Sequence, residues 1–216
     1  MNMQLKVRVK VNSINNLSDA RYFATFAEWA GFNFNPADPN CLPLATARQL
    51  MGWLSGPRMV GEFDDAPVEM INQTAEALNL DTIQTDVDLP VELLAPQISA
   101  VIRRVNIMPA TLPQQLTALL EKNAAHTAWF LLNFTAAGLG WNDLQQHSLF
   151  TPAYLKSLCA DYNILLQLPF TPQNILQVLA AIQPAGIALN SGQEIKTGIR
   201  SFDDVADMIE LLELPD

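Results

Sequence analysis

Three consecutive stretches decide the fold: Leu5-Lys6-Val7-Arg8-Val9-Lys10-Val11-Asn12, then Ser18-Asp19-Ala20-Arg21-Tyr22-Phe23-Ala24-Thr25-Phe26-Ala27-Glu28-Trp29, then Gly31-Phe32-Asn33-Phe34. The first alternates apolar and basic or polar side chains with period two, as a strand does. In the second, opened by Ser18-Asp19, the apolar residues recur at helical spacing. The third is strand-like again. A strand, a helix and a strand in succession build a parallel pair, because parallel neighbours need a crossover between them.

Working outward, the same rhythm runs to the end of the chain. A helix is expected over residues 44–54, a strand over 58–63 and a helix from Pro67 to residue 78, proline being favourable in a first turn. A short strand (82–84) and a short fourth helix from Pro90 follow. Further strands are expected at 99–107, 128–133, 164–168 and 186–189. The helices between them start at Thr111-Leu112-Pro113, Thr151-Pro152 and Thr171-Pro172, and a last one spans 201–214. Residues 135–148 read as a loop. Eight strand–helix units in 216 residues favour closure over an open doubly wound sheet, since a closed ring has no edge strand to protect. The expected class is α/β, a single (β/α)8 TIM barrel domain over residues 1–216.

Composition narrows the function classes. Half the residues are hydrophobic, enough for a continuous core. The formal net charge of −10, from 22 acids against 12 bases, opposes nucleic acid and anionic lipid, so neither is an expected partner. No run of apolar residues reaches the roughly 18 needed to span a membrane, and residues 5–11 lack the unbroken apolar core of a signal peptide; a soluble, cytoplasmic protein is expected. Cys41 and Cys159 have no metal or redox spacing, and the two histidines, His126 and His147, are too far apart in sequence for a zinc pair. Both histidines read as surface residues. Gly138-Leu139-Gly140 lacks the third glycine of a dinucleotide fingerprint. No metal and no cofactor are expected. Trp29, Trp53, Trp129 and Trp141 read as packing residues, with Trp141 in the loop best placed to cover a barrel mouth.

Several segments, in order, resemble the phosphoribosylanthranilate isomerase family of tryptophan biosynthesis. Val9-Lys10-Val11-Asn12-Ser13-Ile14-Asn15 stands for that family's Val-Lys-Ile-Cys-Gly-Ile-Thr, with Asp19-Ala20 following in step. Gly31-Phe32-Asn33-Phe34-Asn35-Pro36 is similar to its second strand and Val60-Gly61-Glu62-Phe63 to its third. Ile83-Gln84-Thr85-Asp86 stands for Val-Gln-Leu-His. Thr171-Pro172-Gln173-Asn174-Ile175 resembles a Pro-Glu-Asn-Val helix start, and Asn190-Ser191-Gly192-Gln193-Glu194 resembles Ser-Ser-Gly-Val-Glu, with Gly198 in step. Residues 88–127 match least well.

The resemblance implies an Amadori rearrangement, with a Cys at the end of the first strand as base and an Asp at the end of the sixth as acid. This chain has Asn12 and Asn133 there. An amide has the shape of a carboxyl and does not titrate near neutral pH, so both catalytic positions are expected to be inactive. Loss of a general acid or base lowers a rate by about 10² to 10⁴. The family's phosphate-holding Gly-Gly is Leu168-Pro169, where proline has no N–H to offer, and its substrate-binding Arg is Asn40. Asn190, Ser191 and Gly192 keep half of an anion nest, the place where a small-molecule anion is expected if one binds.

Carboxylates gather where those groups are gone. Asp64, Asp65, Asp86 and Asp88 fall at or beyond the ends of strands three and four; Asp64 and Asp86 are candidate ligand-binding residues. A cation site or an acid–base cluster is one reading, and solvated loop carboxylates with Asp65 as a helix cap is the preferred one. Lys10 shares strand parity with Asn12 and should point into the barrel. The family's balancing Asp falls here at Ala188, so Glu62 is the expected substitute partner.

Three functions are thus carried forward, in this order. The first is a family member that has lost the isomerase chemistry and acts as a small-molecule-binding or interaction protein. The second is an enzyme of changed specificity using Asp86, Asp64 or Glu194. The third is a working phosphoribosylanthranilate isomerase. Oligomeric state is left open by the sequence.

Overall fold

Eight parallel strands close on themselves in chain order, each bonded to the next and β8 back to β1. The computed structural model of the chain describes residues 4–86, 89–146, 149–191, 194–196, 199–200 and 202–214. The barrel strands are β1 (Arg8–Asn12), β2 (Trp29–Asn33), β3 (Arg58–Glu62), β4 (Thr82–Thr85), β5 (Ala100–Asn106), β6 (Trp129–Asn133), β7 (Ile164–Gln167) and β8 (Gly186–Asn190). The expected (β/α)8 barrel is the fold the chain adopts.

Outside the ring lie α1 (Leu17–Phe23), α2 (Leu44–Gly52), α3 (Val68–Leu78), α4 (Pro113–Asn123), α5 (Trp141–Gln146), α6 (Pro152–Asp161), α7 (Ile175–Ile182) and α8 (Asp203–Leu212). Two apolar clusters join them to the strands, one around Phe23, Phe32 and Ile71, the other around Leu120, Phe134 and Ile164. Capping follows local chemistry. Asn16 Oδ1 accepts from Asp19 N at 2.9 Å, so Asn16 opens α1. Thr151 accepts from Tyr154 N with Pro152 in the first turn of α6.

The helix expected from Pro90 does not form; only a 3-10 turn, Val91–Leu93, links β4 to β5. Pro90 suits a first turn, but Pro96 follows six residues later. Too few residues lie between the two prolines to repay helix nucleation. Helix α1 stops at Phe23 rather than reaching Trp29, because Trp29 turns into the barrel as the first residue of β2. The apolar residues Phe26 and Ala27 continue the helical spacing while packing as a buried turn. The expected loop after β6 contains a 3-10 turn, Thr135–Ala137, and α5. After β8 comes an antiparallel pair, β9 (Glu194–Lys196) and β10 (Ile199–Arg200), which the sequence did not suggest.

Two layers fill the ring. The lower one is apolar: Trp29, Val60, Ile102, Leu131, Leu165 and Ala188 pack together, with Trp29 edge-on to Trp129 at 4.9 Å. Arg8 closes this end, its guanidinium 5.1 Å from the Trp129 ring centre. The upper layer is polar. Register aligns Asn12 with Asn190, Glu62 with Gln84, Asn106 with Asn133 and Asn133 with Gln167. Among the described residues, no helix is long and apolar enough to cross a membrane.

Candidate site at the barrel mouth

The upper layer sits at the C-terminal ends of the strands, where barrel enzymes place their chemistry. Its deepest charge is Lys10, fully buried, with Nζ 2.5 Å from Glu62 Oε1 and 2.5 Å from Asn12 Oδ1. Glu62 is the partner the sequence reading expected. Its other oxygen accepts from Ser13 N at 3.0 Å and Ser13 Oγ at 2.9 Å. Gly31 makes this possible, because a Cβ there would fall on the Glu62 carboxylate. Ser13 has φ 54°, a left-handed backbone that favours the glycine the family carries at this position. The two bonds to Glu62 hold a serine there instead. Burial pushes the Lys10 ammonium below its ordinary value, and Glu62 opposes that shift.

Asn12 donates its amide N–H to Asn190 Oδ1 at 3.2 Å, and Gln167 Nε2 donates to the same oxygen at 3.0 Å. Lysine is a donor only, so the polarity of this chain is fixed: the Asn12 oxygen must face Lys10 and its nitrogen must face Asn190. Gln167 then presents its oxygen, Oε1, which is buried and has no hydrogen-bond partner among the described residues.

A second chain runs along the far side. Asn133 Oδ1 accepts from Thr135 N (3.0 Å) and Thr135 Oγ1 (2.6 Å), and its nitrogen donates to Asn106 Oδ1 at 2.8 Å. Asn106 in turn donates to Asp86 Oδ2 at 2.8 Å. A carboxylate is an acceptor only, and so sets this polarity from the other end. Asp86 also takes a two-pronged contact from Arg104 through Nε and Nη2, both at 2.8 Å. The same Nη2 lies 2.5 Å from Asp64 Oδ1, and Asn35 Nδ2 donates to Asp64 Oδ2 at 2.7 Å.

Asp64 and Asp86 therefore come together, but around a guanidinium. They are ion-paired rather than free loop carboxylates. Among the described residues, no group of three or more His, Cys, Asp or Glu could hold a metal ion. Burial holds the Asp86 carboxyl above the ordinary aspartate value, even with Arg104 pulling the other way. Burial alone would lower Arg104; Asp86 and Asp64 beside it hold the guanidinium above its ordinary value.

Several expectations fall differently. Asp65 is exposed and does not cap α3, whose cap position is Pro67. Trp141 is buried in α5 with Nε1 donating to Gln177 Oε1 at 3.3 Å, so it packs the wall and does not cover the mouth. His126 lies exposed in a 3-10 turn after α4, as expected. Asn40 is exposed, its amide bound to its neighbour Asp38. Cys159 is an inert thiol, pushed up to about 12 by burial. Of the Asn190-Ser191-Gly192 half-nest, the Ser191 amide donates to Asn12 O at 3.1 Å and its hydroxyl to Ser13 O at 3.0 Å. Gly192, Asp88, His147 and Gly198 lie outside the described residues, and the side chain of Glu194 is not described.

Sequence reasoning missed Arg104, Asn106 and Gln167. Arg103-Arg104, two adjacent bases inside an apolar run of an acidic chain, was the available signal. Any strand turns one of such a pair inward.

Comparison with known proteins agrees with the fold. Residues 9–211 match the family described as N-(5'phosphoribosyl)anthranilate (PRA) isomerase. A relative from Geotalea daltonii named N-(5'-phosphoribosyl)anthranilate isomerase is 26% identical, covering 94% of this chain and 95% of its own. One from a Synechococcus species, of the same name, is 28% identical over 94% of this chain and 89% of its own. Among solved structures, the Pyrococcus furiosus isomerase superposes with a TM-score of 0.74 at 15% identity, covering 94% of this chain and 97% of that one. The Thermotoga maritima enzyme gives 0.73 at 22% identity, with the same coverage. The ring closes in the same order, and the sequence match runs along nearly the whole of it: the chain belongs to the N-(5'-phosphoribosyl)anthranilate isomerase family.

Proposed function

We propose that this chain binds a small molecule at its barrel mouth without performing the family's Amadori isomerisation. One observation carries the reading. Asn12 and Asn133, at the positions of the family's base and acid, hold their amides in fixed hydrogen bonds, to Lys10 and Asn190 and to Thr135 and Asn106. Neither group can take or release a proton there. The phosphate-holding turn after β7 carries Pro169, which has no N–H. A cytoplasmic setting goes with this reading.

A working isomerase is the second reading, and the names of the relatives favour it over the first. Eight curated relatives carry the isomerase name and align over 92–95% of this chain. In that case the proton transfers run through other groups. Asp86, whose burial raises its pKa, is the mouth carboxyl best suited to donate a proton. An enzyme of changed specificity would draw on the same residue.

Complementation of a tryptophan auxotroph lacking its isomerase separates the readings. We expect no growth at ordinary expression. Growth that is lost with Asp86→Asn would establish the second reading and locate its acid.

A further inference from the structure

We infer that the mouth takes a non-anionic small molecule that donates a hydroxyl or ammonium hydrogen bond to Gln167 Oε1. The inference rests on the reading above, that the mouth holds a ligand rather than turning one over.

The polarity of the amide chain comes first. Lys10 can only donate, so Asn12 turns its oxygen inward to Nζ and its nitrogen to Asn190. The Asn190 oxygen then receives both Asn12 and Gln167. Gln167 is left with its nitrogen engaged and its oxygen bare, on a side chain only 5% exposed. A buried acceptor without a partner is destabilising, and a ligand donor placed there would relieve it. Gln167 sits on β7 between Asn133 of β6 and the β8 strand that ends in Asn190, at the C-terminal end of its strand. An incoming group must therefore bring the hydrogen.

Charge and backbone exclude the alternative of an anion. Among the described residues, both cations of this layer are already matched: Lys10 by Glu62, Arg104 by Asp64 and Asp86 together. That set sums to one excess negative charge. Among the described residues, the backbone amides that a phosphate would need are absent or engaged. Pro169 has none, that of Phe170 donates to Leu168 O at 2.8 Å, and that of Ser191 donates to Asn12 O at 3.1 Å. An anion would meet a net excess of carboxylates, which the unpartnered but neutral Gln84 amide nitrogen does not offset.

The test is calorimetric titration of the full chain with ribitol, ethanolamine and ribose 5-phosphate as probes. We expect saturable binding of ribitol or ethanolamine, with ribose 5-phosphate at least tenfold weaker than the better of the two. Ethanolamine binding that fades with added salt would assign the donor as an ammonium; ribitol binding insensitive to salt would assign it as a hydroxyl. Gln167→Leu keeps the volume and removes the acceptor, and should weaken the bound probe roughly tenfold. If that variant does not fold, Asn190→Ala, at an exposed position, releases Gln167 from its fixed orientation and should weaken the probe as well. Equal or tighter binding of ribose 5-phosphate overturns the inference, as does silence from both other probes or unchanged binding by the variants. Turnover of phosphoribosylanthranilate by the same preparation is measured in parallel. Turnover sinks the ligand-holding reading itself, whereas silence in both assays sinks only this inference.

Discussion

The lower and upper layers of the barrel interior obey different rules. Below, Trp29, Val60, Ile102, Leu131, Leu165 and Ala188 meet as plain apolar packing. Any set of similar volume would fill that space. Above, most polar groups hold one another, Gln84 and the Gln167 oxygen apart: Lys10 fixes Asn12, which with Gln167 meets Asn190, while Arg104 gathers Asp64 and Asp86, and Asp86 orients Asn106 and Asn133. The two layers share the same strands and touch. The lower layer offers no group for chemistry and the upper layer does, so chemistry can change while the ring persists. The lesson is that a family fold vouches for the lower layer only.

The largest effect should come from cutting the upper layer at its root. Glu62→Gln leaves Lys10 buried without a counter-charge and should destabilise by about 3–5 kcal/mol in chemical denaturation. Because burial lowers the Lys10 pKa in the folded state, the unfolded chain binds more protons between that value and 10.5. Stability from this group therefore rises with pH across that window, which is wider in the variant because Glu62 no longer opposes the shift. Leu165→Ala in the lower layer should cost about 2–5 kcal/mol through the cavity it opens, with no change in pH dependence. If Leu165→Ala also alters the pH profile, the layers are not separable in this way.

Much of this was legible in the sequence, and for identifiable reasons. Strand alternation and short apolar runs such as Phe130-Leu131-Leu132 announce a buried parallel sheet through periodicity alone. Lys10 and Glu62 could be paired in advance because strand parity turns Lys10 inward and a buried ammonium needs an anion. The short link after β4 could not be read correctly, since Pro90 begins helices as readily as 3-10 turns and the effect of Pro96 depends on spacing. Arg104 escaped because Arg103 stands beside it, and only the register of β5 decides which of them faces in. The direction of each amide lies further still from sequence, being imposed by a donor-only or acceptor-only group on another strand.

Asp86 offers a smaller test of the upper layer. Its folded pKa lies above the ordinary 3.8, so the folded chain holds an extra proton in the window just above that value. The contribution of this carboxyl to stability should fall as pH rises through the window, and Asp86→Asn should flatten that part of the curve. Smallest of all, Ser13→Ala keeps the left-handed backbone and loses the hydroxyl bond to Glu62, for about 1 kcal/mol by thermal unfolding.

The most direct measurement is steady-state turnover of phosphoribosylanthranilate by the purified chain, read beside a curated relative under the same conditions. The account predicts no rate above the uncatalysed background, since amides stand at Asn12 and Asn133. A rate within tenfold of the relative's would contradict it, and would mean that protons move through this mouth by another route.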